Sequence, residues 1–306
     1  TVMDTMRPIY EKAVADAKAA DTPEKRRGVG IAWGGFNVTE GGGDSAEVAL
    51  ELMPGNKIRK YDTWHAMGQG ATTGSLVVTL EALKEMHLTP EDIQLIQNDT
   101  KTCPDTGMAG ASRSLYMDGN ATIIAANKLL AAMRKEDGTL RTYDEMKAEG
   151  IETKYLGRYE TNTTPGLCRL DPNTGIGDPT PAFTYCLNLA EVEVDTKTGK
   201  TTVLKFTCVD FVGRIGNIDA VNGQAYSGIM HGIGFALGKG HADVKKHANM
   251  FGAGTSYIKD VPDDINLIHI DGAISDGPFG SSGASEAFQA SGHCAVLNGI
   301  YLSLIH

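Results

Sequence analysis

One local device recurs three times in this chain of 306 residues: a glycine-rich loop that runs straight into an apolar stretch with helical spacing. The first loop is Met67-Gly68-Gln69-Gly70-Ala71-Thr72-Thr73-Gly74, followed by Leu76, Val77, Leu80, Leu83 and Met86 at three- and four-residue intervals. The second spans residues 106–114 and opens onto residues 119–133, and the third spans residues 276–286 and opens onto residues 288–304. Glycine lacks a Cβ and tolerates positive φ, so such loops let backbone approach a ligand closely, while the amides at a helix N-terminus favour an anion. Three of them would present backbone amides and hydroxyls, with Gln69, Ser112, Arg113 and Gln224 as donors, to one large polyanionic ligand. The third loop ends on Glu286, the single carboxylate between Asp276 and the end of the chain, which makes it a candidate base. The alternative is that Glu286 caps the following helix, as the preference of acids for a first turn allows.

Between these junctions the chain alternates helix-like and strand-like runs. Ile9, Ala13, Ala17 and Ala20 predict a helix over residues 6–20, and the polar run 21–27 reads as a linker. Residues 28–36 read as a strand whose missing side chains admit another backbone; a dinucleotide fingerprint is not met, because the G-x-G-x-x-G spacing is absent. Residues 46–52 and 57–64 flank Pro54-Gly55-Asn56 and predict a hairpin, and 93–98 a short strand. Residues 183–195 and 201–212, joined by a turn containing Gly199, predict a long hairpin. The helical run 219–237 carries Gly223, Gly228, Gly232 and Gly234, which signals close packing of some neighbour, since each interior glycine costs about 1 kcal/mol against alanine. The polar stretch 134–177, with one short helix at 143–149, reads as a subdomain boundary, and no solenoid period is visible.

Composition excludes several functions. A net charge of −10 disfavours nucleic acid and anionic membrane as partners. No apolar run approaches the ~18 residues of a membrane span, and no leader opens the chain. Cys103, Cys168, Cys186, Cys208 and Cys294 are odd in number and form no C-x-x-C pair, which suits a reducing cytoplasm and signals neither disulfides nor a cluster site. The eight histidines show no H-x-x-x-H spacing, so no metal held by protein side chains is expected. None of the loops is a Walker loop, and the residues alone lead to a phosphorylated cofactor beside one glutamate.

Four motifs, in order, resemble the molybdopterin-binding region of the xanthine oxidase family: Met-Gly-Gln-Gly at 67–70, Ala-Gly-Ala-Ser-Arg-Ser at 109–114, Gly-Gln at 223–224, and the Gly-Pro-Phe-Gly-Ser-Ser-Gly loop ending at Glu286. The likeness extends over essentially the whole chain and is nearest to bacterial aldehyde oxidoreductases that use molybdopterin cytosine dinucleotide. It implies an α+β fold, with mixed sheets and packed helices in two subdomains, and a molybdenum held by the pterin dithiolene rather than by side chains. Residues 1–27 would be a helix and linker, 28–175 a first molybdopterin-binding subdomain, and 176–306 a second that carries the catalytic loop 276–286. By resemblance Met67, Gly68, Gln69, Gly70, Ala109, Gly110, Ala111, Ser112, Arg113, Ser114, Gln224 and Gly283 would bind the cofactor, with Ala111 close to the metal. Glu286 matches the family's catalytic base, and electrons would leave through two-iron two-sulfur clusters on other domains or subunits.

The implied activity is oxidation of an aldehyde to a carboxylic acid with water as oxygen source; hydroxylation of an N-heterocycle by the same site, or a non-catalytic cofactor-binding half-subunit, are the alternatives. Ser285 stands where the family has glycine before its base, which bears on substrate choice. The family's earlier molybdenum-region loops and its iron–sulfur domains are absent from this sequence, so the chain reads as the second half of a molybdenum-binding unit, a separate subunit or a piece of a longer polypeptide. The whole assembly is expected to be a homodimer. A serine hydrolase is disfavoured although Gly283-Ala284-Ser285-Glu286-Ala287 nearly copies G-x-S-x-G, because the only acid after Ser285 is the directly adjacent Glu286 and the final position is alanine.

Overall fold

The computed structural model describes all residues except 40–43, 162–170, 172, 178–179, 275 and 306, so Cys168 lies outside the described residues. In chain order the elements are α1 (Val2–Ala20), β1 (Lys25–Val38), β2 (Ser45–Met53), β3 (Lys57–Asp62), α2 (Ala71–Ala82), β4 (Ile93–Gln97), α3 (Ser114–Met133), α4 (Tyr143–Ala148), β5 (Lys154–Glu160), β6 (Ala182–Asp195), β7 (Thr201–Phe211), α5 (Ile218–Leu237), β8 (Asp264–His269), α6 (Ser285–Ala290) and α7 (Gly292–Leu304).

The strands form two four-stranded mixed sheets, ordered β4-β3-β2-β5 and β8-β7-β6-β1, with the same arrangement of strand directions. In each, an antiparallel hairpin (β2–β3, β6–β7) gains an antiparallel strand on one side (β5, β1). On the other side a helical crossover (α2, α5) returns a parallel strand (β4, β8). Only the hairpin and crossover are repeated, since β5 follows its crossover strand in the chain while β1 precedes its hairpin. β1 belongs to the sheet of the later strands, although the sequence reading set residues 28–175 apart from 176–306.

The second of these sheets is covered on both faces. Met6 and Ala13 of α1 pack on Val29, Leu187, Leu189 and Val209, while the opposite face meets α5, α6 and α7 through Phe206, Ala225, Ile229, Phe288 and Val296. α1 is fixed by a capping box in which Thr1 and Asp4 exchange hydrogen bonds. Gly28 and Gly30 make room for the α7 backbone: a Cβ on either would lie about 2 Å from a carbonyl oxygen of Gly299 or Ala295. The α5 glycines answer the same need, since Gly228 lies against Phe288 and Gly232 against Gly292. The first sheet packs Leu50, Leu52 and Ile58 against Leu83, Ala125, Leu129, Met133 and Met146 of the helical layer.

Three sequence expectations change. The helix expected over 288–304 is two helices, bent at Ser291, whose hydroxyl accepts from Asn188 Nδ2 at 3.0 Å and donates to the Ala32 carbonyl at 3.5 Å. α3 begins five residues earlier than expected, at Ser114. β5 and β8 were not expected at all. Among the described residues no helix is long and apolar enough to cross a membrane.

Candidate functional site

The two crossovers leave their sheets at the C-terminal ends of β3 and β7, the end of parallel strands where ligands bind in α/β sheets. Both exits open on one cavity of about 630 Å³. Trp64, Gln69 and Gly70 line it from the β3–α2 junction, and Val212, Arg214, Gly216 and Asn217 from the β7–α5 junction. The remaining wall comes from Ala109, Gly110, Ser112 and Ser114 and from Ser281 to Glu286. Gly70, with φ +90°, is the N-cap of α2 and offers no side-chain acceptor, so the first amides of that helix are open to a ligand.

The 106–114 loop is held in an uncommon shape. Ala111 and Ser112 both have left-handed φ, +50° and +51°, which costs about 1–2 kcal/mol per non-glycine residue. Arg113 supplies the restraint. Its guanidinium, 2% exposed, pairs with Asp44 through Nε at 2.5 Å and Nη2 at 2.8 Å, and it donates to the carbonyls of Ser45 (2.9 Å), Thr106 (2.9 Å) and Met108 (2.7 Å). The Thr39 N–H donates to the Ala111 carbonyl at 3.0 Å.

That shape turns Ser112 towards Glu286. The Glu286 carboxylate accepts from the Ser112 backbone N–H at 3.2 Å and from the Ser112 hydroxyl. Glu286 sits in the first turn of α6, yet its carboxylate reaches across to the 106–114 loop instead of capping its own helix. Gly283 makes the approach possible, since a Cβ there would lie 1.8 Å from the Ser112 carbonyl oxygen. Among the described residues no histidine hydrogen-bonds to Ser285, so the hydrolase arrangement is not assembled.

Two buried polar networks brace the walls. In one, Lys60 Nζ meets Asp118 at 2.5 Å and Asp62 at 3.3 Å, all three fully buried; Asp62 also accepts from Ser75 (2.7 Å) and Gln97 (2.8 Å). This ties β3 to α2 and α3, the helices that follow the first two loops. Burial pushes the Asp118 carboxyl up to about 7, with the Asp62 charge adding to the rise and Lys60 opposing it. In the other, His269 bridges Asp210 (2.7 Å) and Asn222 (2.8 Å), linking β7 and β8 to the turn of α5 just before Gly223 and Gln224. Burial raises Asp210 to about 6 against the pull of His269.

Of the residues singled out in the sequence, Met67, Gln69, Gly70, Ala109, Gly110, Ser112, Ser114, Gln224, Gly283 and Glu286 line the cavity. Gly68, Ala111 and Arg113 do not. Arg113, read from the sequence as a donor to the ligand, has its guanidinium committed to Asp44 and three carbonyls. Gln69 is partly turned back on its own loop, donating to the His65 carbonyl at 3.0 Å and accepting from the Met67 N–H at 2.5 Å. Trp64, Arg214 and Ser282 were missed; none has a composition signal, and only Ser282, within the third loop, had a positional one.

Ser282 and Trp64 line the cavity, while Ser282 Oγ and Trp64 Nε1 lie buried behind its surface with no partner among the described residues. Orphaned buried donors of this kind cost about 1–3 kcal/mol each. An uncapped helix start and a left-handed turn around one cavity mark the class of domain that cradles an anionic cofactor with backbone amides.

The chain belongs to the molybdopterin cofactor-binding domain family, whose model matches residues 6–262. It is 38% identical over 299 residues to an aldehyde oxidoreductase of Megalodesulfovibrio gigas, covering 98% of this chain and 33% of that protein. The crystal structure of the aldehyde oxidoreductase from Desulfovibrio desulfuricans superposes with a TM-score of 0.94 at 40% identity, over 98% of this chain and 33% of that one. Quinoline 2-oxidoreductase from Pseudomonas putida shares the fold, with a TM-score of 0.76 at 18% identity over 100% of this chain and 42% of that one. The chain thus spans about a third of the length of the aldehyde oxidoreductases it matches. The α+β architecture expected from the sequence, mixed sheets with packed helices, agrees with these neighbours.

Proposed function

We propose that this chain is the cofactor-holding, catalytic portion of a molybdenum hydroxylase that oxidises an aldehyde to a carboxylic acid, with Glu286 as the base. The observation that carries this reading is the Glu286 carboxylate on the cavity wall, oriented by two hydrogen bonds from Ser112. The residues suit the pterin group: glycine positions leave backbone bare, the uncapped start of α2 offers amides, and no side chain is needed as a metal ligand. When bound, the molybdenum pterin supplies a two-electron acceptor for oxidation of the substrate carbon.

The chain's own residues do the rest. A carboxylate has about four lone-pair sites, so the two taken by Ser112 fix its orientation and leave others to accept a proton. A base must lie within hydrogen-bond reach of the proton it removes, and a carboxylate held on a cavity wall meets that need without reorganisation. Gln224, carried on α5 and braced through Asn222 and His269, faces the same space. Val77, Val78, Leu115 and Val212 form an apolar part of the wall that limits water.

The cytosine dinucleotide form of the pterin, two-iron two-sulfur clusters on other parts of the protein, a dimeric assembly and a cytoplasmic location belong to the same reading. It is supported by the resemblance and by the length of the relatives, three times that of this chain. The test is to purify the full-length native protein and measure molybdenum, iron, acid-released cytosine nucleotide and aldehyde oxidation. We expect all four; a protein that oxidises aldehydes without molybdenum would overturn the reading.

A further inference from the structure

α6, which carries Glu286, is six residues long, and its N-cap, Ala284, makes no side-chain hydrogen bond. A helix that short has no stability of its own and takes its position from what it rests on. The carbonyls of its last four residues also lack helical donors, and fully buried Ala287 is one of those four. The donor four positions on would be Ser291, which leaves the helix at φ −131°. The Cys186 thiol of β6 supplies a donor instead: its Sγ donates to the Ala287 carbonyl at 2.8 Å.

The neighbouring hydrogen bonds converge on that sulfur. Asn188 Nδ2 donates to Cys186 Sγ at 3.6 Å and to the Ser291 hydroxyl at 3.0 Å. A hydrogen bond from Cys208 draws the Cys186 thiol down from its ordinary pKa, while burial and the Asp210 charge oppose loss of its proton. With the sulfur already accepting, its own proton is left for Ala287. Cys186 and Asn188 stand two residues apart on β6 and so share one face of the strand. That face holds α6 at two points, at the residue after the base and at the bend that ends the helix. Gly34 on β1 leaves the room, since a Cβ there would lie 2.6 Å from Ser291 Oγ and 3.1 Å from Cys186 Sγ. Cys186, Asn188 and Ser291 are all behind the cavity wall, not on it.

We propose that Cys186 is a positioning residue for Glu286, its thiol holding the peptide next to the base while Ser112 holds the carboxylate; this rests on the reading of Glu286 as the base. Ser112 fixes only the outer end of a flexible side chain, and the backbone end needs its own anchor. Without the thiol the Ala287 carbonyl is buried with no donor, and α6 must shift to find one. A shift of about 1 Å at a reacting group can cost up to about a hundredfold in rate.

The test uses the full-length, molybdenum-loaded protein with Cys186→Ala, Cys186→Val and Cys186→Ser, and with Cys186→Ala combined with Glu286→Gln. Two quantities are read: kcat and KM for an aldehyde per bound molybdenum, and hydrogen–deuterium exchange of residues 285–291. Cys186→Ala should lower kcat roughly tenfold, leave KM within about twofold and speed exchange of that segment. Cys186→Val, which deletes the donor without leaving a void, should do the same. Cys186→Ser, whose hydroxyl can donate in the same place, should recover more than about half of the lost rate. In the Glu286→Gln background Cys186→Ala should lower kcat by less than about twofold, because the group it positions is already gone. Wild-type kcat in both donor-free variants would overturn the proposal, as would a serine variant no better than alanine. Equal fold losses in the two backgrounds would also overturn it, since the thiol would then support the fold at large. Wild-type turnover in Glu286→Gln alone would instead remove the base reading, and the role of Cys186 with it.

Discussion

Glu286 and Ser112 stand 174 positions apart in the chain, yet Ser112 gives the Glu286 carboxylate both its backbone N–H, at 3.2 Å, and its hydroxyl. The left-handed turn at Ala111 and Ser112 and the bare Cα of Gly283 exist together with this contact, and each is a condition for it. The second and third glycine-rich loops thus act as one unit, in which one loop carries the carboxylate and the other aims it.

Removing only the Ser112 hydroxyl tests that aim. Ser112→Ala keeps the backbone donor and deletes one hydrogen bond to a charged group, worth about 1.5–3 kcal/mol. We expect turnover to fall roughly tenfold with cofactor content unchanged, measured by steady-state aldehyde oxidation per bound molybdenum. Unchanged turnover would show that the hydroxyl has no part in orienting the carboxylate.

Glycine positions separate into those that touch and those that do not. A Cβ on Gly283 meets the Ser112 carbonyl oxygen at 1.8 Å, whereas one on Gly223 meets nothing within 4 Å. Gly283→Ala should part the two loops and lower molybdenum content in the purified protein. Gly223→Ala, inside α5, should leave content intact and raise stability by about 0.5–1 kcal/mol in denaturant titration. Equal molybdenum content in both variants would contradict the close approach.

The buried Lys60, Asp62 and Asp118 cluster gives a pH signature. The folded-state pKa of Asp118 is raised to about 7 from the ordinary 3.8, so the folded protein binds the extra proton between those values. The resulting stability is fully present below about pH 4 and is lost as pH rises through about 7. Relative to Asp118→Asn, wild type should therefore lose stability across that window; a flat difference in unfolding midpoints from pH 4 to 8 would contradict the shift. Lys60→Met, which leaves two buried carboxylates without their cation, should cost about 3–5 kcal/mol.

Much of the cavity was legible because its chemistry is local. Glycine runs ahead of helices announce themselves, and Glu286 stands alone as a carboxylate in the last stretch of the chain. What could not be read depends on partners distant in sequence. Arg113 and Arg214 look alike as letters; one is consumed by Asp44 and three carbonyls, and the other is left open on the cavity wall. The run Ala290-Ser291-Gly292 is compatible with one continuous helix, and the bend at Ser291 comes with hydrogen bonds to Asn188 and Ala32 on neighbouring strands. β5 and β8 are edge strands that draw their order from β2 and β7. Six residues of β8 with mixed polarity and a charged, weakly alternating β5 give little periodicity of their own.

The most direct measurement is the aldehyde oxidation rate of Glu286→Gln in the full-length, molybdenum-loaded protein. Glutamine keeps the shape and a hydrogen-bond acceptor for Ser112 but deletes the basicity, so turnover per molybdenum should fall by at least about two orders of magnitude, the typical worth of a positioned base. Molybdenum and pterin content should stay at the wild-type level. A Glu286→Gln protein with full molybdenum and wild-type turnover would contradict the assignment of Glu286 as the base.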